Sequence, residues 1–578
     1  MKKNVSMAAT ALEDFWEADK SLVALGEWCK INTTKTFTDT IPYVWDCALM
    51  KAEAIGYTHS IYEYLMDELV VILNNYHKVN ETKLYWELIV GNWLIVFIQG
   101  LYSRYLTLKK FISLYPNFST LMLDSDSYIT PMEASDFTLK LVESDIYNLQ
   151  LFSQILKFMN YNFPVKKYDN KQNLIFENKK SNIKKDILYK LLNFFSFNPN
   201  ITISNPYFDN TVGSCLKLFF ESKGKIVYDD FNDNFSFKFN ISKRDRGTIF
   251  KSIKSSDEFV SLVCSLLEVN FPILFLEGYE SFNRFVINLK KNNSKLFATA
   301  NSLYSNYIYK FYIAKDQKNI KTVAIQHGGN YGIDKVVSIE YYEKNISSYF
   351  FAFGWGNNEN EKNCSHEKIN IKVKPRKDGD ILMISTCCPI YDFRIEVICS
   401  GEYIKTDYIP KIKAFLSNIV NLDLFLYRPY PKDYGFDIVG KIKNKFPSLK
   451  VEKDRLKLKD RLKKSRLLVS DHFGTSVLET LAQNYPTVIF IEKKHYMFRR
   501  PEMIALLEDA KILFYDEVAA ARHVNKICSN IDSWWLSNKV QLARKEFCFV
   551  YARTSNNWAK DWIREFNYIL EDNAGINT

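Results

Sequence analysis

The chain has 578 residues, 47% of them apolar and 25% charged, the balance of a soluble globular protein and too long for one core, so two or three domains are expected. Its formal net charge of +11 comes from lysines dispersed among asparagines. Without a basic stripe a nucleic-acid partner is not expected, while acidic substrates or an anionic membrane leaflet are both compatible.

Residues 7–20 contain a short helical pattern without a secretory apolar core, and 21–26 read as a first strand. Glu27 follows Gly26 at the carboxyl end of that strand, where parallel sheets place ligand-contacting residues, so it is a candidate acceptor-binding group or general base. From 55 to 112 two apolar stripes at helical spacing predict two long antiparallel helices. The run 84–101 is broken by Glu87, Asn92 and Gln99 and reads as a buried helix, not a membrane span. A strand at 121–123, a helix at 136–159 and a surface excursion at 160–185 follow.

Strands are then expected at 201–204 and 225–228 around a helix at 211–223, at 272–276 and 295–298 around a helix at 281–289, and at 322–325 after a helix at 303–314. Such alternation indicates a largely parallel sheet. The strand 322–325 runs into Gln326-His327-Gly328-Gly329-Asn330-Tyr331-Gly332. Its glycines let a ligand approach the backbone, and His327 stands at the strand's carboxyl end as a candidate catalytic base. A strand at 347–355 precedes a charged segment, 357–379, expected to link domains.

A second alternating pattern begins at 380, with strands at 381–384 and 424–427 and helices at 403–420, 438–446 and 455–464. Asp392 and Arg394 follow its first strand and should face its cleft. Arg428-Pro429-Tyr430-Pro431 ends the second strand, where a guanidinium suits phosphate and the prolines stiffen the loop. Residues 466–492 read as strand, loop, helix and strand. Gly474, Thr475 and Ser476 lie where the helix begins, so their N–H groups favour an anion. Glu479 sits one turn further along, within reach of a sugar hydroxyl, and His472 could donate to a phosphate. One more strand is expected at 512–514; the remainder is helical and rich in tryptophan, and is expected to pack back across another lobe.

Seven histidines and ten cysteines are scattered without metal-ligand spacing or a Cys-x-x-Cys pair, so no metal is expected and reduced, cytosolic thiols are. There is no Gly-x-x-x-x-Gly-Lys loop and no Gly-x-Ser-x-Gly elbow, which demotes ATPases and α/β-hydrolases.

At these residues the chain resembles glycosyltransferases of the GT-B type, built from two Rossmann-like lobes. Residues 474–486 are similar to their Gly-x-x-x-x-Glu-x-x-Ala-x-x-x-Pro signature, with Glu479 at the ribose-binding position. Arg428–Pro431 resembles the His-Pro element of CMP-sugar-using members, with Tyr430 where the histidine would stand. His327-Gly328 resembles an element of polyol-phosphate transferases. The segments 9–16, 25–29, 326–332, 471–486 and 543–545 also resemble transferases encoded in bacterial surface-polysaccharide loci, including those for O-antigen and capsule.

The resemblance implies an α/β fold of two Rossmann-like lobes: an acceptor lobe at 1–356 with a helical insertion near 50–115, a linker at 357–379, a nucleotide-sugar lobe at 380–535, and helices at 536–578. It implies a cytoplasmic, metal-independent transferase that takes a nucleotide-sugar, CMP-sugar first, and a glycan or lipid-linked acceptor, with peripheral membrane contact. Polyol-phosphate transfer, nucleotide-sugar epimerisation and a non-catalytic scaffold are the alternatives. Catalytic groups would be His327 and Glu27. Donor contacts would be Arg428, His472, Gly474, Thr475, Ser476 and Glu479, with Gly328, Gly329, Asp392, Arg394 and Tyr430 around the cleft.

Overall fold

A computed structural model describes residues 5–17, 19–170, 172–178, 183–289, 293–370, 372–396 and 403–572. Its three larger sheets are wholly parallel. The first joins β1 (Val5–Ala8), β2 (Ser21–Ala24), β3 (Asp39–Thr40) and β4 (Phe118–Ser119) in the order β3-β2-β1-β4. The second contains β5 (Ile201–Ser204), β6 (Ile226–Tyr228), β7 (Leu296–Thr299), β8 (Lys321–Ile325), β9 (Tyr349–Ala352) and β10 (Glu361–Asn363), ordered β10-β9-β8-β7-β5-β6. The third contains β11 (Asp380–Ile384), β12 (Phe425–Arg428), β13 (Lys450–Val451), β14 (Ser465–Ser470), β15 (Thr487–Phe490) and β16 (Leu513–Phe514), ordered β13-β12-β11-β14-β15-β16.

The inner strands of both six-stranded sheets are continuous apolar runs buried on both faces, as helix-covered parallel sheets require. Each six-stranded sheet winds outward in both directions from its first strand. In the third sheet the winding reverses between β11 and β14, which opens a crevice beyond their carboxyl ends. The protein therefore has two Rossmann-like lobes.

Four local expectations change. The amino-terminal strands do not belong to the first Rossmann-like sheet: β1 completes its ladder with β2 and β4, so 1–356 holds two separate sheets. The run at 272–276 is a 3₁₀ turn, Ile273–Phe275, because the Ile273 and Leu274 N–H groups donate to the Pro131 and Met132 carbonyls instead of to a strand. The segment 357–379 is not simply a linker, since it contributes edge strand β10, paired with β9. The excursion at 160–185 contains two short strands, Val165–Lys166 and Ile175–Asn178, while 171 and 179–182 lie outside the described residues.

Helices α1 (Ala48–His77) and α2 (Asn92–Leu114) separate β3 from β4. A π-turn, Glu87–Gly91, leads into α2. The Tyr342 hydroxyl lies 3.2 Å from the Glu87 carbonyl that this turn releases. Lys83–Leu114 is long and apolar enough to cross a bilayer, but most of it is buried in the protein. Its polar residues serve packing: Gln99 donates to Ser338 Oγ at 2.8 Å and accepts from the Ile395 N–H. Buried Arg104 donates to the Asp392 and Leu141 carbonyls and to Asn148. These bonds fasten segment 392–396 to the helical region.

The carboxyl-terminal helices span both lobes. In α4 (Asn538–Tyr551), Arg544 donates to the Leu481 carbonyl and Phe547 packs on Phe473. In α5 (Trp558–Glu571), Trp562, Phe566 and Ile569 share a core with Val323, Ile325 and Phe351 of the first Rossmann-like lobe.

Candidate functional site

A cavity of about 530 Å³ lies where the carboxyl end of β8 in one lobe meets the carboxyl ends of β11, β14 and β15 in the other. That volume is within the range of small-molecule sites, roughly 300–1,000 Å³. One wall is His327, Gly328 and Gly329; the facing wall includes Thr386, Asp471, His472, Gly474, Thr475 and Glu492. The strand-end rule accounts for this convergence, since residues just past parallel strands face a common edge.

Helix α3 (Thr475–Ala482) begins at this cavity, with Gly474 at its N-cap and no side chain capping it. Its first N–H groups are left for an outside acceptor. The opposite loop approaches closely: a Cβ on Gly329 would lie 2.3 Å from the Thr475 nitrogen and 2.4 Å from the Gly474 carbonyl carbon. Only glycine fits there in the observed arrangement.

The cavity's carboxylates are occupied by protein donors. Asp471 accepts from the Tyr408 hydroxyl at 2.7 Å and the Thr386 N–H at 3.3 Å, and His472 Nδ1 lies 2.9 Å away. Burial alone would raise the Asp471 pKa, but His472, Lys411 and Tyr408 together hold it below the usual value. Glu492 behaves similarly. Burial opposes its ionisation, yet His495, Lys411 and Tyr403 bring it down to about 2. Glu396 accepts from both the Ser338 N–H and hydroxyl. Asp334 accepts from the Met497 N–H, and burial pushes its pKa up to about 7.

Donors are less fully used. Arg394 lines the cavity with its Nε hydrogen-bonded to nothing among the described residues, 3.7 Å from Glu396. Lys411 enters from the helix Ile409–Ser417, largely buried, 3.6 Å from Glu492. Burial drives the His327 pKa down to about 4, so the imidazole is neutral near pH 7. Its Nε2 lies 3.4 Å from the Tyr331 hydroxyl, which donates to buried Glu343 at 2.9 Å.

Of the residues predicted from sequence, the structure gathers His327, Gly328, Gly329, Arg394, Tyr430, His472, Gly474 and Thr475 around one cavity. It does not bring Arg428 there: its guanidinium reaches Glu452 at 3.2 Å and donates to the Leu456 carbonyl at 2.8 Å. Glu27 is also withdrawn, held by Lys30 at 2.7 Å and Lys405 at 2.9 Å. Asp392 is buried in the interior, with Arg104 and Lys51 as nearby charges. Ser476 and Glu479 lie further along α3, outside the cavity lining. Glu479 faces Lys368 at 3.7 Å across the lobe boundary, and burial raises its pKa to about 7 against that lysine's attraction.

Sequence reasoning missed Asp334, Glu396, Tyr403, Lys411, Asp471, Glu492 and His495. Glu492 was within reach of the strand-end rule that found His327, because it closes the apolar run of β15. Lys411 lies on a helix face with no local signal. Among the described residues, no group of three or more His, Cys, Asp or Glu is placed to hold a metal ion.

A family model described as LIC12162 family transferase matches residues 5–566. None of the curated proteins matches the chain. Among solved structures, a protein assigned as a UDP-N-acetylglucosamine 2-epimerase from Listeria monocytogenes is similar at 9% identity and TM-score 0.37, over 64% of this chain and 97% of its own. MurG of Acinetobacter baumannii is similar at 8% identity and TM-score 0.32, over 64% and 99%. WaaG, a glycosyltransferase involved in lipopolysaccharide biosynthesis, is similar at 8% identity and TM-score 0.26, over 64% and 99%. At these scores the likeness is loose.

Proposed function

The chain belongs to the LIC12162 family of transferases, and from that premise we propose that it is a glycosyltransferase whose nucleotide-sugar donor binds in the cavity between the lobes. One observation carries the reading: the cavity's acceptors are satisfied by the protein while cationic donors and a helix start remain available. Such a site favours an anion. A nucleotide phosphate attached to a sugar meets that requirement and matches the cavity's size.

In the transfer step the acceptor hydroxyl attacks the anomeric carbon, and the bond from that carbon to the phosphate oxygen breaks. The electron pair stays on the nucleotide. Arg394, Lys411 and the N–H group at Thr475, where α3 begins, meet the charge growing there with a fixed dipole and cations, so no metal is required. Neutral His327 takes the acceptor's proton, consistent with its depressed pKa. Tyr430, exposed at the rim, offers a ring on which a base can stack. The acceptor is a glycan or lipid-linked glycan of a surface polysaccharide, with the enzyme in the cytoplasm.

Titration calorimetry with CMP, CDP, UDP, GDP and dTDP tests this, with CMP as the first expectation. Binding of one nucleotide, competed by its sugar conjugate, supports the assignment. Absence of binding to all five refutes it.

A further inference from the structure

The helix Ile183–Phe194 buries Tyr189 and Leu192 against the first Rossmann-like lobe and leaves Ile187, Leu191 and Phe194 facing outward. Three more aromatic rings extend that face. Phe194 is 81% exposed, Phe195 64%, Phe197 79% and Phe220 71%. The Phe194 and Phe195 rings touch at 5.2 Å between centroids. The Phe197 N–H donates to the Gly224 carbonyl at 2.9 Å, which brings this loop against the turn that follows Phe220. Scattered exposed apolar residues are ordinary, but six large ones on adjoining segments are not.

Exposed lysines surround them. Lys184 and Lys190 lie on the same helix, Lys223 and Lys225 on the adjoining turn, and Lys295 precedes β7. Asp186 and Glu221 are the acids within these segments. Loop 195–200 leads into the amino end of β5, and Lys225 and Lys295 precede the amino ends of β6 and β7. The face is therefore at the opposite end of the sheet from the candidate site.

We infer that this face docks on an anionic membrane surface, with the phenylalanines entering the headgroup–acyl boundary and the lysines contacting lipid phosphates. Charge selects this occupant. A second copy joined through a two-fold axis would set the same lysines against one another, which is unfavourable. The inference does not depend on the donor assignment.

The test is co-sedimentation of the full chain with vesicles of phosphatidylglycerol and phosphatidylcholine, compared with phosphatidylcholine alone. The wild-type protein should bind the anionic vesicles preferentially, and less at high salt. The double variant Phe194→Asp/Phe197→Asp should bind them at least about tenfold more weakly. Lys223→Glu/Lys225→Glu should lose roughly fivefold per lysine. Circular dichroism and nucleotide binding should be unchanged in both, because all four side chains are exposed. Wild-type protein that stays in the supernatant, or aspartate variants that sediment as wild type, would overturn the inference. So would a wild-type dimer that the aspartates convert to monomer.

Discussion

Of two arginines, the sequence assigns Arg428 to the donor and Arg394 only to the surrounding cleft; their surroundings reverse that order, and one paired experiment exploits it. Arg394 faces the cavity with an unused Nε, whereas Arg428 is committed to Glu452 and the Leu456 carbonyl. A hydrogen bond to a charged partner contributes about 1.5–3 kcal/mol, so Arg394→Met should weaken nucleotide binding roughly 10- to 150-fold. The fold should tolerate the change. Glu396, 3.7 Å from Arg394, keeps its two bonds from Ser338, and a long, partly exposed pair is worth under about 1 kcal/mol. Arg428→Ala should leave affinity within about twofold, while loosening the Glu452 cluster. Titration calorimetry with whichever nucleotide binds reads both, and circular dichroism checks integrity. Unchanged affinity in folded Arg394→Met, or loss of binding in Arg428→Ala alone, would refute the placement of the phosphates.

Three further outcomes follow from the same site. His327→Gln should keep nucleotide affinity and lose at least about 100-fold in kcat; in the wild type, the acid limb of the pH–rate profile should lie near the depressed pKa of about 4 rather than at 6.5, which a pH titration of turnover checks. Glu479 has a folded pKa raised to about 7 by burial, so its contribution to stability is fully present below the unfolded carboxylate value and is lost as pH rises through 7. Glu479→Gln should accordingly stabilise the protein at pH 8, by about 1–3 kcal/mol, and change it little at pH 4, measured by urea unfolding. Gly329→Ala places a methyl against the Thr475 nitrogen and must push the lobes apart there; small-angle scattering should show a larger radius of gyration, and nucleotide binding should fall at least about tenfold.

The α/β alternation was readable because strands buried on both faces are continuous apolar runs, and those at 201–204, 322–325, 381–384 and 466–470 lie in the two six-stranded sheets. Pairing was not readable. Nothing local tells Val5–Ala8 to join Phe118–Ser119, across two long helices, instead of the sheet that starts at Ile201. The apolar run 272–276 carries no period that separates a strand from a buried turn, and its backbone partners at Pro131 and Met132 are far away in sequence. The carboxyl ends of strands located His327, His472 and Thr475 because that position is fixed by topology. Glu27 obeyed the same rule and failed it, since its partner Lys405 comes from the other lobe.

Position at a strand end and availability to a ligand are separate properties, and hydrogen-bond accounting distinguishes them. Arg428 and Glu27 stand at strand ends, yet their charges are already neutralised, the first by Glu452 just after β13 and the second by Lys30 and by Lys405 of the second lobe. Asp471 and Glu492 also stand at strand ends, and both hold other cavity groups in place: one orients His472 and Tyr408, the other Lys411 and His495. A cationic ligand would have to share these oxygens with buried protein donors and lie beside Lys411, so an anion is the better match for the cavity. Arg394 Nε and the first turn of α3 are donors with capacity left. Desolvating such donors without a partner is unfavourable, and an incoming phosphate removes that cost while supplying the counter-charge. The cleft is thus prepared by its carboxylates and completed by an anion.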